Sequence, residues 1–364
     1  MNTANIHDLG PSKVIELFFP VSGFRAVVVV DNVALGPAIG GVRVSPGVTV
    51  GEVRRLARTM TLKNSIAGLP HGGGKSGIIL DPHSPDKEHH FRIFAQAIRD
   101  LNEYIPGPDM GSNEECMAWV YDETGRAVGL PEELGGLPLD KHGATGYGLA
   151  ECAGAACQHL GMRLEGARIA IHGFGSVGKM CAQFLTEKGA VIVAVSDSKG
   201  TLADPTGIDI KKMLEIKEQT GSVLNYTPGT VKGAGDLFAE PCDILIPAAT
   251  PDVITGKNAG DVKAKLILQG ANIPVTGEAE ELLHQRGVLS VPDFIANAGG
   301  VIMAAMEYAK KSEKEAFQAI SDRIIRNTHL ILEKSSRERI LPRKAGESIA
   351  KERVITAMSY KRNM

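Results

Sequence analysis

Apolar positions along the chain fall into two regimes. In the first third a buried strand, residues 24 to 31 (FRAVVVVD), precedes a helix over residues 49 to 64 that opens on a T-x-x-E capping signal, Thr49 with Glu52. Val53, Leu56 and Met60 recur along that helix at helical spacing, and three residues further the stripe reaches Lys63, which is therefore expected to point inward. A Gly-rich turn at residues 72 to 74 leads into a strand over Ser76 to Leu80. A second amphipathic helix, from about His90 to Tyr104, turns Phe91, Phe94, Ile98 and Leu101 inward, and the loop IPGPDMGS follows. From Ala167 the pattern changes. ARIAIHG, VIVAVSD, DILIPAA, KLILQGAN and VLSVPDF are short apolar runs separated by helical segments, as in a parallel sheet covered on both faces. Beyond about Ala304 the chain reads as helix.

Composition narrows the function classes. A chain of 364 residues exceeds what one core usually serves, so two domains are expected. With 43% hydrophobic and 23% charged residues and a net charge of -2, nothing draws it to nucleic acid or an anionic membrane, which leaves small-molecule partners. The five cysteines are scattered and form no C-x-x-C pair, so neither a disulfide framework nor a metal site is expected. No apolar run approaches the roughly 20 residues that span a bilayer, and no signal-peptide pattern opens the chain, which points to the cytoplasm.

Glycine is in excess, 42 residues, and clustered. One cluster, Gly173-Phe174-Gly175-Ser176-Val177-Gly178, lies between a strand ending at His172 and a helix, with Asp197 ending the next strand. In that context G-x-G-x-x-G reads as a dinucleotide-binding turn. Gly173 makes the turn, Gly175 lets a pyrophosphate approach backbone, Gly178 packs helix on strand, and the helix N-terminus attracts the anion. Asp197 is expected to accept from the ribose hydroxyls, favouring NAD; Ser198 and Lys199 beside it leave NADP possible. The fold class is thus α/β with two domains. The first covers 1–140, with helices of about 330–364 packing back on it. A Rossmann-type domain covers 141–329, and the Gly/Pro-rich residues 136 to 144 are the hinge of an active-site cleft.

The first domain holds the second candidate site. Lys63 on an apolar face and Lys75 after three glycines bring two lysines toward one pocket. Mutual repulsion and desolvation would leave one neutral near pH 7, able to act as a base, while the other holds a carboxylate. Asp109, in the loop after the second helix, would relay protons. The bland alternatives are a Lys63 that snorkels to solvent and an Asp109 that only shapes a Pro-Asp turn.

Over nearly its whole length the chain resembles the glutamate, leucine, phenylalanine and valine dehydrogenase superfamily, through MTLKNSIAGLPHGGGKSGI, PGPDMGS, GATGYG, GFGSVGK, QGAN and DFIANAGGV in family order. The resemblance implies reversible oxidative deamination of an L-2-amino acid to a 2-oxo acid and ammonia. It matches Lys63 to the lysine on the substrate α-carboxylate, Lys75 to the lysine that activates water, and Asp109 to the carboxylate that moves protons at the amino nitrogen. Thr145 matches the threonine near the nicotinamide amide, and Asn272 and Asn297 match asparagines lining the cofactor cleft. It also implies a homo-oligomer, hexamer or octamer, assembled through the first domain.

Substrate choice turns on two positions. In the glutamate enzymes a lysine before paired glycines and a serine after NAGG hold the side-chain carboxylate. Here GPAIGG puts Ile39 ahead of Gly40 and Gly41, and Ala304 follows Val301 in the second segment. A substrate carboxylate buried there would go unpaired at a cost of several kcal/mol, about what an unpartnered charge loses on burial. An aliphatic side chain would gain about 0.8 kcal/mol per methylene. The expected substrate is therefore apolar, of the leucine or valine type. The alternatives are glutamate anchored elsewhere, for example by Arg43, and a non-catalytic NAD-sensing module. A 2-hydroxy acid dehydrogenase would need an acid/base histidine, and His172 is badly placed for that role.

Overall fold

The computed structural model describes residues 9–138 and 141–361. By its internal contacts the chain forms two compact units. One comprises Met1–His142, Val301–Ala319 and Glu347–Met364, the other Gly143–Gly300 and Ile320–Gly346.

The first unit is built on five strands: β1 (Lys13–Phe19), β2 (Phe24–Asn32), β3 (Ala38–Val44), β4 (Gly72–Ile78) and β5 (Tyr104–Pro108). They lie in the order β1-β2-β4-β3-β5, with β3 parallel to β4 and β5 and the other pairs antiparallel. Between β3 and β4 runs helix α1 (Val50–Ile66); α2 (Lys87–Ala97) precedes β5, and α3 (Glu114–Thr124) follows it. Strand alternation divides the side chains. Ala26, Val28, Ala38, Val42, Ile78 and Tyr104 join Phe91, Phe94, Met117 and Val120 of α2 and α3 in one core. Each fully buried phenylalanine there contributes about 1.5–3 kcal/mol. Val27 and Val29 turn the other way, against Val53 and Ala57 of α1.

Three expectations for this unit are corrected. The inward stripe of α1 runs through Val53, Ala57, Thr61 and Asn64, while Leu56, Met60 and Lys63 are half-buried on its flank. Small residues win the inner face because the helix lies on glycines: a Cβ on Gly73 would come 2.0 Å from the Thr61 backbone nitrogen. For the same reason residues 72 to 74 are strand rather than turn, Gly72 facing the Asn32 carbonyl and Gly74 the Tyr104 ring. Third, α2 stops at Ala97, and Tyr104–Pro108 is an edge strand rather than helix end and loop. Pro106 and Pro108 are tolerated there because an edge strand leaves alternate N–H groups unpaired. The outer side of β5 is instead met by residues 126–128, where the Val128 N–H donates to Pro106 O (2.9 Å) and the Arg126 guanidinium to Tyr104 O (3.1 Å).

The second unit opens with α4 (Ala144–His159), then β6 (Arg168–His172), α5 (Ser176–Glu187), β7 (Val191–Asp197), β8 (Gly200–Ala203), α6 (Ile210–Thr220), β9 (Thr230–Lys232), β10 (Ile244–Pro247), β11 (Leu266–Leu268), α7 (Gly277–Gln285) and β12 (Leu289–Val291). Strand order is β12-β11-β10-β6-β7-β8-β9. From β12 to β7 the pairing is parallel, and β8 and β9 add an antiparallel margin that the apolar pattern did not reveal. The order reverses at β6, whose C-terminal end is the switch point of a doubly wound sheet. After β12 come α8 (Asp293–Ala296), α9 (Gly299–Tyr308), α10 (Glu313–Glu338) and α11 (Pro342–Ser359); the division between the units falls within the last three. Among the described residues no helix is long and apolar enough to cross a membrane.

Candidate functional site

Three adjacent parallel strands of the first unit present Ile39, Gly41 and Arg43 (β3), Gly73, Lys75 and Gly77 (β4), and Ile105 and Gly107 (β5) on the face turned to α1, with Asp109 directly after β5. Gly41 leaves room for the Lys75 and Asp109 side chains. A Cβ on Gly41 would lie 2.7 Å from Asp109 Cβ and 3.1 Å from Lys75 Nζ. Gly40 faces the opposite way, where its carbonyl accepts from the Tyr104 hydroxyl at 2.8 Å.

Lys75 and Asp109 are brought together: Lys75 Nζ lies 3.0 Å from Asp109 Oδ1. The other carboxylate oxygen, Oδ2, accepts from Arg43 Nε at 2.9 Å, and Arg43 reaches on to Glu52 at 2.5 Å. Glu52 thus serves Arg43, while the Thr49 hydroxyl caps α1 by accepting from Glu52 N at 3.2 Å. Asp109 N–H donates to Ser112 Oγ (2.9 Å), whose hydroxyl donates to Val42 O (2.8 Å), fixing the loop to β3. The pairing of Arg43 with Asp109, the side-chain role of Glu52 beyond the cap, and Ser112 were missed in the sequence. Period-two alternation from Ile39 would have placed Arg43 on the same face had residues 38–44 been read as strand.

Burial pushes the Lys75 pKa below the ordinary lysine value; the Asp109 carboxylate opposes this and the Arg43 cation adds to it. Burial alone would raise the Asp109 pKa, but Lys75 and Arg43 outweigh it and hold the group ionised below the usual carboxylate range. A buried amine of lowered basicity gives up its proton more readily than an ordinary lysine, and the carboxylate beside it receives the charged form when the proton returns. Lys63 stands half-buried in the last turn of α1, Ile39 and Ala304 are buried, and Val301 is half-buried.

In the second unit the Gly-rich turn fits a dinucleotide. Gly173 has φ +96°, and a Cβ there would strike Ala249; one on Gly178 would lie 2.0 Å from the Gly173 carbonyl. Gly175, by contrast, has open space where a Cβ would go, and no side chain caps the N-terminus of α5. Uncapped N–H groups beside an open backbone suit a pyrophosphate, and Ser176 and Val177 open that helix. Gly178→Ala is expected to abolish NAD binding in a calorimetric titration, because the added methyl displaces the Gly173 carbonyl from the turn.

Asp197 ends β7 with Oδ2 accepting from Lys217 Nζ (2.6 Å) and Val223 N (2.9 Å), and Oδ1 from Lys199 N (2.9 Å). Burial works to raise its pKa, but these donors hold it at about 2. Ser198 is exposed. Asn297 is buried and donates to Gly270 O (3.3 Å), Ala271 O (3.2 Å) and Asn272 Oδ1 (3.2 Å), shaping the loop on which Asn272 is exposed. Thr145 lies in the first turn of α4, close to Gly300, whose Cβ would stand 3.2 Å from its hydroxyl.

Two family models cover most of the chain: Glutamate/Leucine/Phenylalanine/Valine dehydrogenase over residues 135–362, and the Glu/Leu/Phe/Val dehydrogenase dimerisation domain over 11–126. The NADP-specific glutamate dehydrogenase of Saccharolobus shibatae is 44% identical over 80% of this chain and 74% of its own length. The NAD-specific glutamate dehydrogenase of Staphylococcus aureus is 36% identical over 93% of this chain and 86% of its own. The leucine-bound hetero-hexameric glutamate dehydrogenase of Thermus thermophilus superposes with a TM-score of 0.85 at 30% identity, covering 96% of this chain and 90% of that one. The chain therefore belongs to the glutamate/leucine/phenylalanine/valine dehydrogenase family and is an NAD(P)-dependent amino acid dehydrogenase acting on the CH–NH2 group of its substrate.

Proposed function

We propose that the chain reversibly deaminates an apolar L-2-amino acid, of the leucine or valine type, to its 2-oxo acid and ammonia, and that the Lys75–Asp109 pair carries the proton chemistry. The observation behind this reading is the face of the first sheet: beside a buried lysine of lowered pKa paired with a carboxylate stand Ile39, Ile105 and glycine. Held at the Gly173 turn, the nicotinamide cofactor supplies the hydride acceptor. Lys63 holds the substrate α-carboxylate. Once hydride has left Cα, the nitrogen lone pair forms an iminium; neutral Lys75 takes a proton from the water that adds to that carbon, and Asp109 moves protons to and from the nitrogen that leaves as ammonia when the C–N bond breaks. Gly173, Gly175, Ser176, Val177, Gly178, Asp197 and Ser198, with Thr145, Asn272 and Asn297, hold the cofactor.

L-Glutamate is the second reading, favoured by the names of relatives at 36–44% identity. It needs a cationic anchor, and Arg43 is engaged by Asp109 and Glu52. Initial rates with L-leucine, L-valine, L-phenylalanine and L-glutamate decide between them. Turnover of L-glutamate at least as efficient as that of the aliphatic acids would sink the apolar reading. By analogy with the hexameric Thermus enzyme we also infer association of several copies.

The pH profile offers a finer check. The acid limb of kcat/KM for deamination reports loss of a proton from Lys75. Arg43→Gln leaves Asp109 to Lys75 alone, raises the lysine pKa and moves that limb to higher pH. Asp109→Asn removes the anion that supports the charged amine and moves it to lower pH. Profiles that coincide with the wild type would detach Lys75 from the limb.

A further inference from the structure

An acidic residue at the end of the second parallel strand ordinarily selects NAD, because its charge repels a 2′-phosphate. Asp197 occupies that place but is not a bare anion. Its side chain is 7% exposed and that of Lys217 is 16% exposed; the two are 2.6 Å apart. Lys217 comes from the last turn of α6, where its ammonium also donates to the Gly221 carbonyl at 3.1 Å, so it is held at the helix C-terminus by a second partner. Beyond the carboxylate lie the exposed Ser198 and Lys199, a hydroxyl and a further cation. The local field is therefore neutral to positive. Oδ1, which among the described residues accepts from the Lys199 N–H, keeps acceptor capacity for a ribose hydroxyl of NAD.

We propose that Lys217 sets cofactor preference: by neutralising Asp197 it opens the ribose end of the site to a 2′-phosphate, so that NADP is accepted alongside NAD. The inference rests on the reading of the Gly173 turn as the dinucleotide site. Lys217 acts through Asp197 and is a positioning residue, 20 positions further along the chain and outside the Gly-rich motif.

Calorimetric dissociation constants for NAD and NADP, with no amino acid present, test it. Wild type is expected to bind both. Lys217→Met should weaken NADP relative to NAD about tenfold, the effect of exposing one unit charge at close range in a partly solvated site. Lys217→Arg should keep the wild-type ratio. Lys217→Met leaves a buried carboxylate unpaired and lowers stability, so the decisive variant is Asp197→Asn with Lys217→Met, uncharged at both positions, which should restore the wild-type ratio. A Lys217→Met protein that folds and loses affinity for both nucleotides equally, a double variant that stays selective for NAD, or a wild type that excludes NADP each overturns the role of Lys217. A wild type that binds neither nucleotide overturns the reading of the Gly173 turn, and this inference with it.

Discussion

Lys75→Ala is expected to lower kcat for oxidative deamination by about a thousandfold, inside the range of roughly 10²–10⁴ that removal of a positioned general base produces. The lysine sits mid-strand in β4, buried, with its amine held 3.0 Å from Asp109. No neighbour on the described face can replace it in activating water: Arg43 stays protonated at any working pH, and Asp109 is assigned to the substrate nitrogen. The KM for the amino acid should change far less, since Lys63 is the proposed holder of the α-carboxylate. A melting curve taken alongside separates lost chemistry from lost fold, because the variant leaves Asp109 paired with Arg43 only. Activity within tenfold of the wild type would remove Lys75 from the mechanism.

The second large effect is a change of substrate. Ile39→Lys together with Ala304→Ser should raise kcat/KM for L-glutamate relative to L-leucine by about a hundredfold or more, since an unpaired buried carboxylate loses several kcal/mol and a tenfold step needs only about 1.4. Ile39 lies on the same strand face as Gly41 and Arg43, and pairs across to Gly73 and Ile105. A ratio unmoved by both substitutions would show that the substrate side chain lies elsewhere.

What could be read in advance follows from the physics of each element. The parallel strands of the second unit are doubly covered, so β6, β7, β10 and β11 appear as short apolar runs rich in Ile, Val, Leu and Ala. Strands β8 and β9 are short and marginal, and β9 is largely exposed, so no such run marks them. Pro-Gly-Pro in β5 and the triple glycine in β4 carry turn chemistry locally; tertiary packing against α1 and Tyr104 overrides it. Lys75 after the triple glycine and Asp109 in the loop after the second helix could be named from the sequence, and the family blocks carry both; the structure places them 3.0 Å apart. Their electrostatic frame could not: Arg43 is 66 residues from Asp109 and Lys217 is 20 from Asp197, and nothing in either segment announces its partner.

The two margins of the five-stranded sheet are chemically unequal. On β5, prolines remove donors at 106 and 108, and the outward carbonyls of Tyr104 and Pro106 are already taken by Arg126 and Val128. On β1, the far margin, no described strand pairs with the outer backbone, and Phe18 and Phe19 are exposed at 57% and 42%. A sheet with one sealed rim can be lengthened in one direction only. Among the described strands β1 is the margin left open to a strand from another molecule, and if that strand were the β1 of a second copy, the sealed β5 rim of each sheet would end the growth at two.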